Sequence, residues 1–529
     1  MTQSGDGWVI LPCMKHLPSA LLIGALVLAL HAETPPPKST GTPPPEPTGT
    51  PQPTANGTPE AKPTGDPFVK NPGDTAANGG RQEEDPPNVL IVFEAYSLER
   101  NEAAGLLEAE ADGAARYRRI LEMTKAGKAH LQTLTAIATR SGQRAVTEAI
   151  DEVRYALQFT ANIPMSGPTP TSWETRNAGD TLEVEPVAEP DGHFCDLNLV
   201  PSRVTLARFF DLAGSVDDAP TSQPLFNSQR VTTSVTTDEG TPYYLGTFSP
   251  PPAQGAPNNA GSPEVWLAFL HTSIQKSPVP NAEFSRKGGL ARPPFAHEVA
   301  VNLEYSCYSL DRADAREVLV PPPALDAAWD KVHGLAAEKK AQLEFITSLR
   351  TKSGQRAVVE ESHEVRMMTE YNPPSIVGPQ YSGVVGVTFP SSENAGAADR
   401  KVDTSSAAGA RSLTRHQVVT GWGTKFETRS AGINVEVEPV IRSENGSVDL
   451  NEVVQNVRYL GTLKVSGVGA QYQPQPLFQT SKLTTSQSVL SGKHTLIGTF
   501  NPPGADGVNE QTDSGRTWLL FVRVTIVTP

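Results

Sequence analysis

Cysteine is nearly absent, with three in 529 residues. So few thiols exclude a disulfide framework and leave the apolar core to hold the fold. Cys13 falls in an N-terminal leader. Cys195 and Cys307 stand at unmatched places in an internal repeat: the counterpart of Cys195 is Val448, and that of Cys307 is Ala95. A bridge between them stays open, and two buried free thiols are the simpler expectation. Positive charge is also scarce, with 44 Lys and Arg against 58 Asp and Glu, for a net charge of −14. Phosphate contacts need a basic surface, so this balance argues against nucleic acid as the main partner and poorly suits an anionic membrane. Beyond the leader, no apolar run approaches the length of a transmembrane helix.

Proline is plentiful, 48 in all, and much of it sits early. Lys15-His16 precede the apolar run Leu21 to Leu30, followed by His31-Ala32-Glu33. A basic start, a short apolar segment and a small residue read as a secretory signal over residues 1–32, with Met14 a better start than Met1. An uncleaved anchor stays open, because Leu30 suits the position three before the cut poorly. Residues 33–87 carry Pro35-Pro36-Pro37 and Pro43-Pro44-Pro45 among Thr, Gly and Glu. With almost nothing apolar to offset ordering, this stretch reads as a disordered, extended tether.

The rest of the chain contains itself twice. Ser141-Gly142-Gln143-Arg144-Ala145-Val146 recurs as Ser353 to Val358, at positions that differ by 212. Glu183-Val184-Glu185-Pro186 recurs as Glu436 to Pro439, 253 further on, and Gln223-Pro224-Leu225-Phe226 as Gln475 to Phe478, 252 further on. The expected organisation is a first copy over 88–275, a linker over 276–297, and a second copy over 298–529. The second copy carries a Gly-, Ser- and Ala-rich insert over about 372–425, read as a mobile loop.

Each copy opens on an apolar strand, Val89 to Phe93 in the first. Helices are expected over Glu102 to Glu110 and Ala114 to Ala126, with a counterpart over Leu325 to Lys340. Strands follow. Leu131 to Thr139 and Arg144 to Phe159 flank Ser141-Gly142-Gln143 and read as a hairpin. Thr181-Leu182-Glu183-Val184-Glu185 alternates, with Leu182 and Val184 inward and the glutamates outward. Asp191-Gly192 turns the chain back into Cys195 to Val200. Arg230 to Val235, Tyr243 to Phe248 and Val265 to Leu270 complete the copy. Short turns between strands favour antiparallel pairing. The fold class expected is α+β: two tandem, mostly antiparallel β modules, each with one or two N-terminal helices.

Three stretches, in this order in both copies, carry a family resemblance. They are Thr139 to Val146; Gly179 to Pro186 with Asp191-Gly192 and Asp196-Leu197-Asn198-Leu199; and Arg230 to Val235 through Gly240 to Leu245-Gly246. Together they resemble the C-terminal domain of secretins, the outer-membrane ring proteins of type II and type III secretion and of type IV pili. The resemblance implies a β-rich envelope module, with hairpins at the first and third stretches. It does not carry the pore over. Secretins follow the last glycine with an apolar, membrane-inserting hairpin, whereas here Gly246 leads into Thr247-Phe248-Ser249-Pro250-Pro251-Pro252. A lipid-facing strand needs about 9–11 residues with an apolar face, and Asn258 to Ser262 does not supply one. Nor is there a counterpart of the upstream ring-building domains, since only the tether precedes the first copy.

No constellation reads as catalytic. Glu183/Glu185 and Glu436/Glu438 are i, i+2 pairs on strands, which the solvent side of an amphipathic strand explains. Arg144 and Arg356 are expected to pair with nearby carboxylates. His297-Glu298 lacks the second histidine of a helical zinc motif, and Gly492-Lys493-His494 lacks the rest of a phosphate loop. Ser141 has no nucleophile-elbow context, and Trp266 and Trp518 read as core. The Phe248-Ser249-Pro250-Pro251 segment, matched by Phe500-Asn501-Pro502-Pro503, is an interaction edge or a proline strand stop. The expectation is therefore no catalytic, cofactor-binding or metal residues and no cofactor. The protein reads as an exported, periplasmic or outer-membrane-associated, non-catalytic scaffold with protein partners in the envelope. It is tied to secretion or pilus assembly, with homo-oligomerisation left open. The alternative is an exported ligand-binding or adhesive surface protein using the insert; an envelope hydrolase comes third.

Overall fold

The computed structural model describes residues 86–160, 169–212, 221–248, 264–276, 299–372, 375–377, 417–419, 421–442, 446–463, 475–504 and 515–527. The leader, almost all of the tether, the linker between the copies and most of the insert lie outside these residues, as does the Asn258 to Ser262 loop. All described residues belong to one compact unit.

Two antiparallel sheets face each other. The first holds β1 (Asn88–Glu99), β2 (Ala129–Arg140), β8 (Tyr243–Phe248), β9 (Glu264–Gln275), β10 (Ala300–Asp311), β11 (Gln342–Lys352), β18 (His494–Phe500) and β19 (Arg516–Val527), in the order β11-β10-β19-β18-β2-β1-β9-β8. The second holds β3 (Ala145–Thr160), β4 (Thr169–Ala188), β5 (Phe194–Leu212), β6 (Thr221–Arg230), β7 (Thr233–Asp238), β12 (Ala357–Asn372), β15 (Trp422–Ile441), β16 (Ser447–Leu463) and β17 (Gln475–Leu490). Its order is β12-β15-β16-β17-β3-β4-β5-β6, with β7 also on β5. Within the insert, β13 (Ser375–Val377) pairs with β14 (Gln417–Val419).

Helices α1 (Arg100–Ala109), α2 (Gly113–Lys125), α3 (Arg312–Leu319) and α4 (Ala327–Ala337) cover the outer face of the first sheet. Gly113 does not separate α1 from α2; it is the first residue of α2, and Asp112 caps that helix by accepting from Ala115 N. The second-copy helix is shorter than its apolar pattern suggested, and α3 precedes it. This third layer explains the apolar run at β1. Val89, Ile91, Phe93 and Ala95 point into the core between the sheets, while Leu90, Val92, Tyr96 and Leu98 point under the helices. A strand buried on both faces cannot alternate.

The expected hairpins at Ser141 and Ser353 are corrected by the pairing. β2 pairs with β1 and β18, and β3 with β4 and β17, so each turn is a corner between sheets. Ile137 on one side and Ala145 and Ala149 on the other face a single core from opposite walls. Strands that face across a core need the same alternation as strands paired edge to edge, which is why the pattern read as a hairpin. The corner is fastened to β4 instead. Gly142 N donates to Pro186 O at 2.7 Å, and Ser141 Oγ accepts from Ala188 N at 2.9 Å. The second corner repeats this, with Gly354 N on Pro439 O at 2.7 Å and Ser353 Oγ taking Ile441 N at 2.9 Å. The third stretch is corrected in the same way, since β7 lies in one sheet and β8 in the other. The turn at Asp191-Gly192 is a hairpin, joining β4 to β5.

Candidate functional site

The chemistry concentrates where strands of the two sequence copies meet. In the second sheet β17 pairs with β3 from Phe478↔Glu152 to Thr484↔Val146. In the first sheet β18 meets β2 at Gly498↔Ile137. A Cβ on Gly498 would push the end of the Leu483 side chain aside and sit tightly against Ala136 O, so the two strands approach closely there.

Three polar groups fasten this junction. Glu94, in the middle of β1, is fully buried. It accepts from Tyr96 Oη at 2.8 Å and Tyr117 Oη at 2.6 Å, lies 3.0 Å from His271 Nε2, and pairs at 2.8 Å with Arg316 Nε from α3 of the other copy. Burial alone pushes its carboxyl up. The His271 hydrogen bond and the Arg316 charge outweigh that and hold it below the usual carboxylate value. In the second sheet, Arg429 of β15 grips Glu152 of β3 with both guanidinium ends, and Thr480 Oγ1 donates to the same carboxylate at 2.7 Å. Next to it, Gln479 Nε2 donates to Asp151 at 3.1 Å, and burial pushes that carboxyl up to about 7. The Phe500-Asn501-Pro502-Pro503 segment lies on this junction too. Thr499 Oγ1 accepts from Ala136 N at 2.7 Å, and Asn501 Nδ2 donates to Thr135 Oγ1 at 2.8 Å.

Arg144 pairs with Glu183 at 2.5 Å and Arg356 with Glu436, as expected. Leu182 and Val184 are buried while Glu185 is exposed. His494 stacks flat on Trp329, ring centroids 3.7 Å apart, so Gly492-Lys493-His494 is a turn against a helix. Trp518 is core, and Trp266 is partly buried against it. His297-Glu298 lies outside the described residues. Cys195 and Cys307 are buried free thiols, the first pushed up to about 11 by burial and the second well above its ordinary value.

A cleft lined by Thr133, Asp180, Arg203 and Trp266 offers about 30 Å³, room for water rather than a substrate. Its polar groups are already engaged: Arg203 Nη1 pairs with Asp180 at 3.3 Å, and Thr133 donates to Asp180 at 2.9 Å. Among the described residues, no group of three or more His, Cys, Asp or Glu is placed to hold a metal, and no helix is long and apolar enough to cross a membrane.

The sheets also end in open edges, β12 and β11 on one side, β6, β7 and β8 on the other. At one end β12 also touches β4 and β3: Glu370 pairs with Ser172, and Met368 O accepts from Arg154 Nη2 at 3.3 Å. These edges expose large apolar side chains, Ile346 on β11, Val358 on β12 and Leu225 on β6.

No family model matches the chain, and no curated protein matches it. Solved structures to which it shows a weak similarity include three secretins. The V. cholerae type IV competence pilus secretin PilQ is 12% identical, with 36% of this chain and 60% of that chain covered and a TM-score of 0.19. The InvG secretin-domain β-barrel of the Salmonella SPI-1 injectisome is 9% identical, with 62% and 88% covered and a TM-score of 0.21. The ETEC pilotin–secretin AspS–GspD complex is 8% identical, with 84% and 50% covered and a TM-score of 0.19. Overlap this low carries no conclusion about this chain.

Proposed function

We propose that the protein is a non-catalytic structural component of the cell envelope. In this reading it comprises two tandem secretin-like modules behind a tether and acts in secretion or pilus assembly by joining sheet edges to protein partners. The observation that carries the reading is the contrast between matched positions. Ile346 is 63% exposed on the open β11 edge, whereas its counterpart Leu134 on β2 is 0% exposed. An apolar side chain left on an open strand edge is an aggregation hazard in a lone molecule and an asset in an assembly. Fractionation of the source cells with native mass measurement tests this. Envelope-associated particles of several 56.5 kDa chains support it. A monomer released to the medium overturns it and favours the surface-binding alternative.

A further inference from the structure

Building on the assembly reading above, we propose that a second copy of this chain docks head to tail on the open edges, repeating the internal junction in one fixed register. β6 of one chain would lie against β12 of the next, with Phe226 opposite Glu364 and Arg230 opposite Glu360. β8 would lie against β11, with Gly246 opposite Leu349.

The strand order supplies the geometry. The 212 and 252–253 offsets place β11, β10, β19 and β18 in correspondence with β2, β1, β9 and β8. The first sheet therefore reads as one four-strand sequence followed by the same sequence again. The second sheet does likewise, with β12, β15, β16 and β17 matching β3, β4, β5 and the β6–β7 pair. Local geometry recurs at the same offsets. Gly179 and Gly432 sit at φ 148 and 147, and a Cβ on either would strike the matching carbonyl, Ala149 O or Glu361 O. The β1–β2 bulge at Ala95/Tyr96 reappears at Cys307/Tyr308. A repeat joined this way leaves one complementary edge free at each end, which is a heterologous contact that closes into rings or runs on as filaments.

Shifting the internal register onto the open edges tests its chemistry. Lys482 opposite Glu148 becomes Arg230 opposite Glu360, so the signs are kept. Glu152, held by Arg429 and Thr480, becomes Glu364, facing Arg176 and Ser228. Half of that grip already exists, since Arg176 Nη2 reaches Ser228 Oγ at 3.5 Å, as Arg429 Nη2 reaches Thr480 Oγ1 at 3.1 Å. Asp151 opposite Gln479 becomes His363 opposite Asn227, a polar pair again. The buried Glu94–Arg316 pair becomes Ser306 and Ala104, so both charges vanish together and docking buries no lone charge. Leu225, 41% exposed, takes the place of Leu477, 5% exposed. The in-chain contacts of the β12 edge, Glu370 with Ser172 and Met368 O with Arg154 Nη2 at 3.3 Å, lie beyond the register.

The test uses the full chain and sedimentation or native mass. Wild type should form multimers. R176E and E364R should each weaken association severalfold, and mixing the two should restore it, because every junction then pairs opposite charges. A chain carrying Ser228→Cys and Ser362→Cys, which the register sets directly opposite, should oxidise into covalent multimers; Ser228→Cys with Glu360→Cys should not. If wild type assembles but the reversals and cross-links have no effect, the register is wrong and the scaffold reading stands. If wild type stays a single chain, both fall.

Discussion

Replacing Arg316 by Met probes whether the two halves depend on each other. The substitution keeps the aliphatic stem and removes the guanidinium that pairs with Glu94 at 2.8 Å and donates to Tyr96 Oη at 2.8 Å. Glu94 is 0% exposed, so its charge is left in a low-dielectric site with only neutral donors and His271. Removing one partner of a buried pair costs about 3–5 kcal/mol. The Arg316 side chain is 23% exposed, which places the expected cost near the lower end, about 3 kcal/mol. Denaturant unfolding of wild type, R316M, E94Q and the double variant closes a cycle, and its coupling energy should be about 2 kcal/mol.

The pH dependence has a definite sign. The Glu94 carboxyl is held below its ordinary value in the fold, so the stability it contributes is present above about 4.5 and is lost as pH falls through the folded value. Removing Arg316 raises that carboxyl, so the deficit of R316M should be largest near neutrality and shrink toward pH 5. A cost below about 0.5 kcal/mol with no pH trend would refute the reasoning. It would mean that the junction does not hold α3 onto the first copy.

Glu452, fully buried beneath Tyr305 Oη at 2.7 Å, is pushed up to about 7 by burial, so its contribution falls as pH rises from about 4.5 to about 7. Glu452→Gln should therefore gain up to about 3 kcal/mol over wild type at pH 8 and little at pH 5 in unfolding titrations, with its amide free to donate to Gln487 Oε1, which has no partner now. Gly179→Ala and Gly432→Ala should each cost about 2–3 kcal/mol by the same assay, through the φ of 148 and 147 and the carbonyl clash. Cys195 and Cys307, with thiols raised by burial, should resist alkylation in the native protein at pH 8 and react once it is unfolded.

What was legible in the sequence is what depends on local pattern. The inward Leu182 and Val184, the Asp191-Gly192 hairpin and the Arg144 and Arg356 ion pairs follow from alternation and turn chemistry. Strand partners do not, because Ile137 and Ala149 alternate identically whether they sit side by side or face each other across a core. The Phe500-Asn501-Pro502-Pro503 segment was visible as a repeated motif, but its neighbour was not, since Thr135, which takes Asn501 Nδ2, lies some 360 residues away. The Glu94–Arg316 pair had a signal that single-residue reading passes over. Both members fall where the copies differ, against Ser306 and Ala104, while the flanking Tyr96-Ser97-Leu98 is kept.

That paired divergence has a physical consequence. Two junctions of one design, one inside the chain and one between chains, would compete for the same edges. Covalent linkage favours the internal one through its effective concentration. The buried Glu94–Arg316 pair adds specificity by penalising any mismatch that strands one charge. The open edges keep only the more exposed part of the design, Arg176 with Glu364 and Arg230 with Glu360, each pair worth about 0.2–1 kcal/mol. With apolar edge residues such as Leu225 and Ile346 added, such a contact is weak singly and strong in a closed ring, where no edge is left unpaired. Assembly of this chain should therefore depend steeply on concentration and weaken with salt, whereas the internal junction should respond to neither.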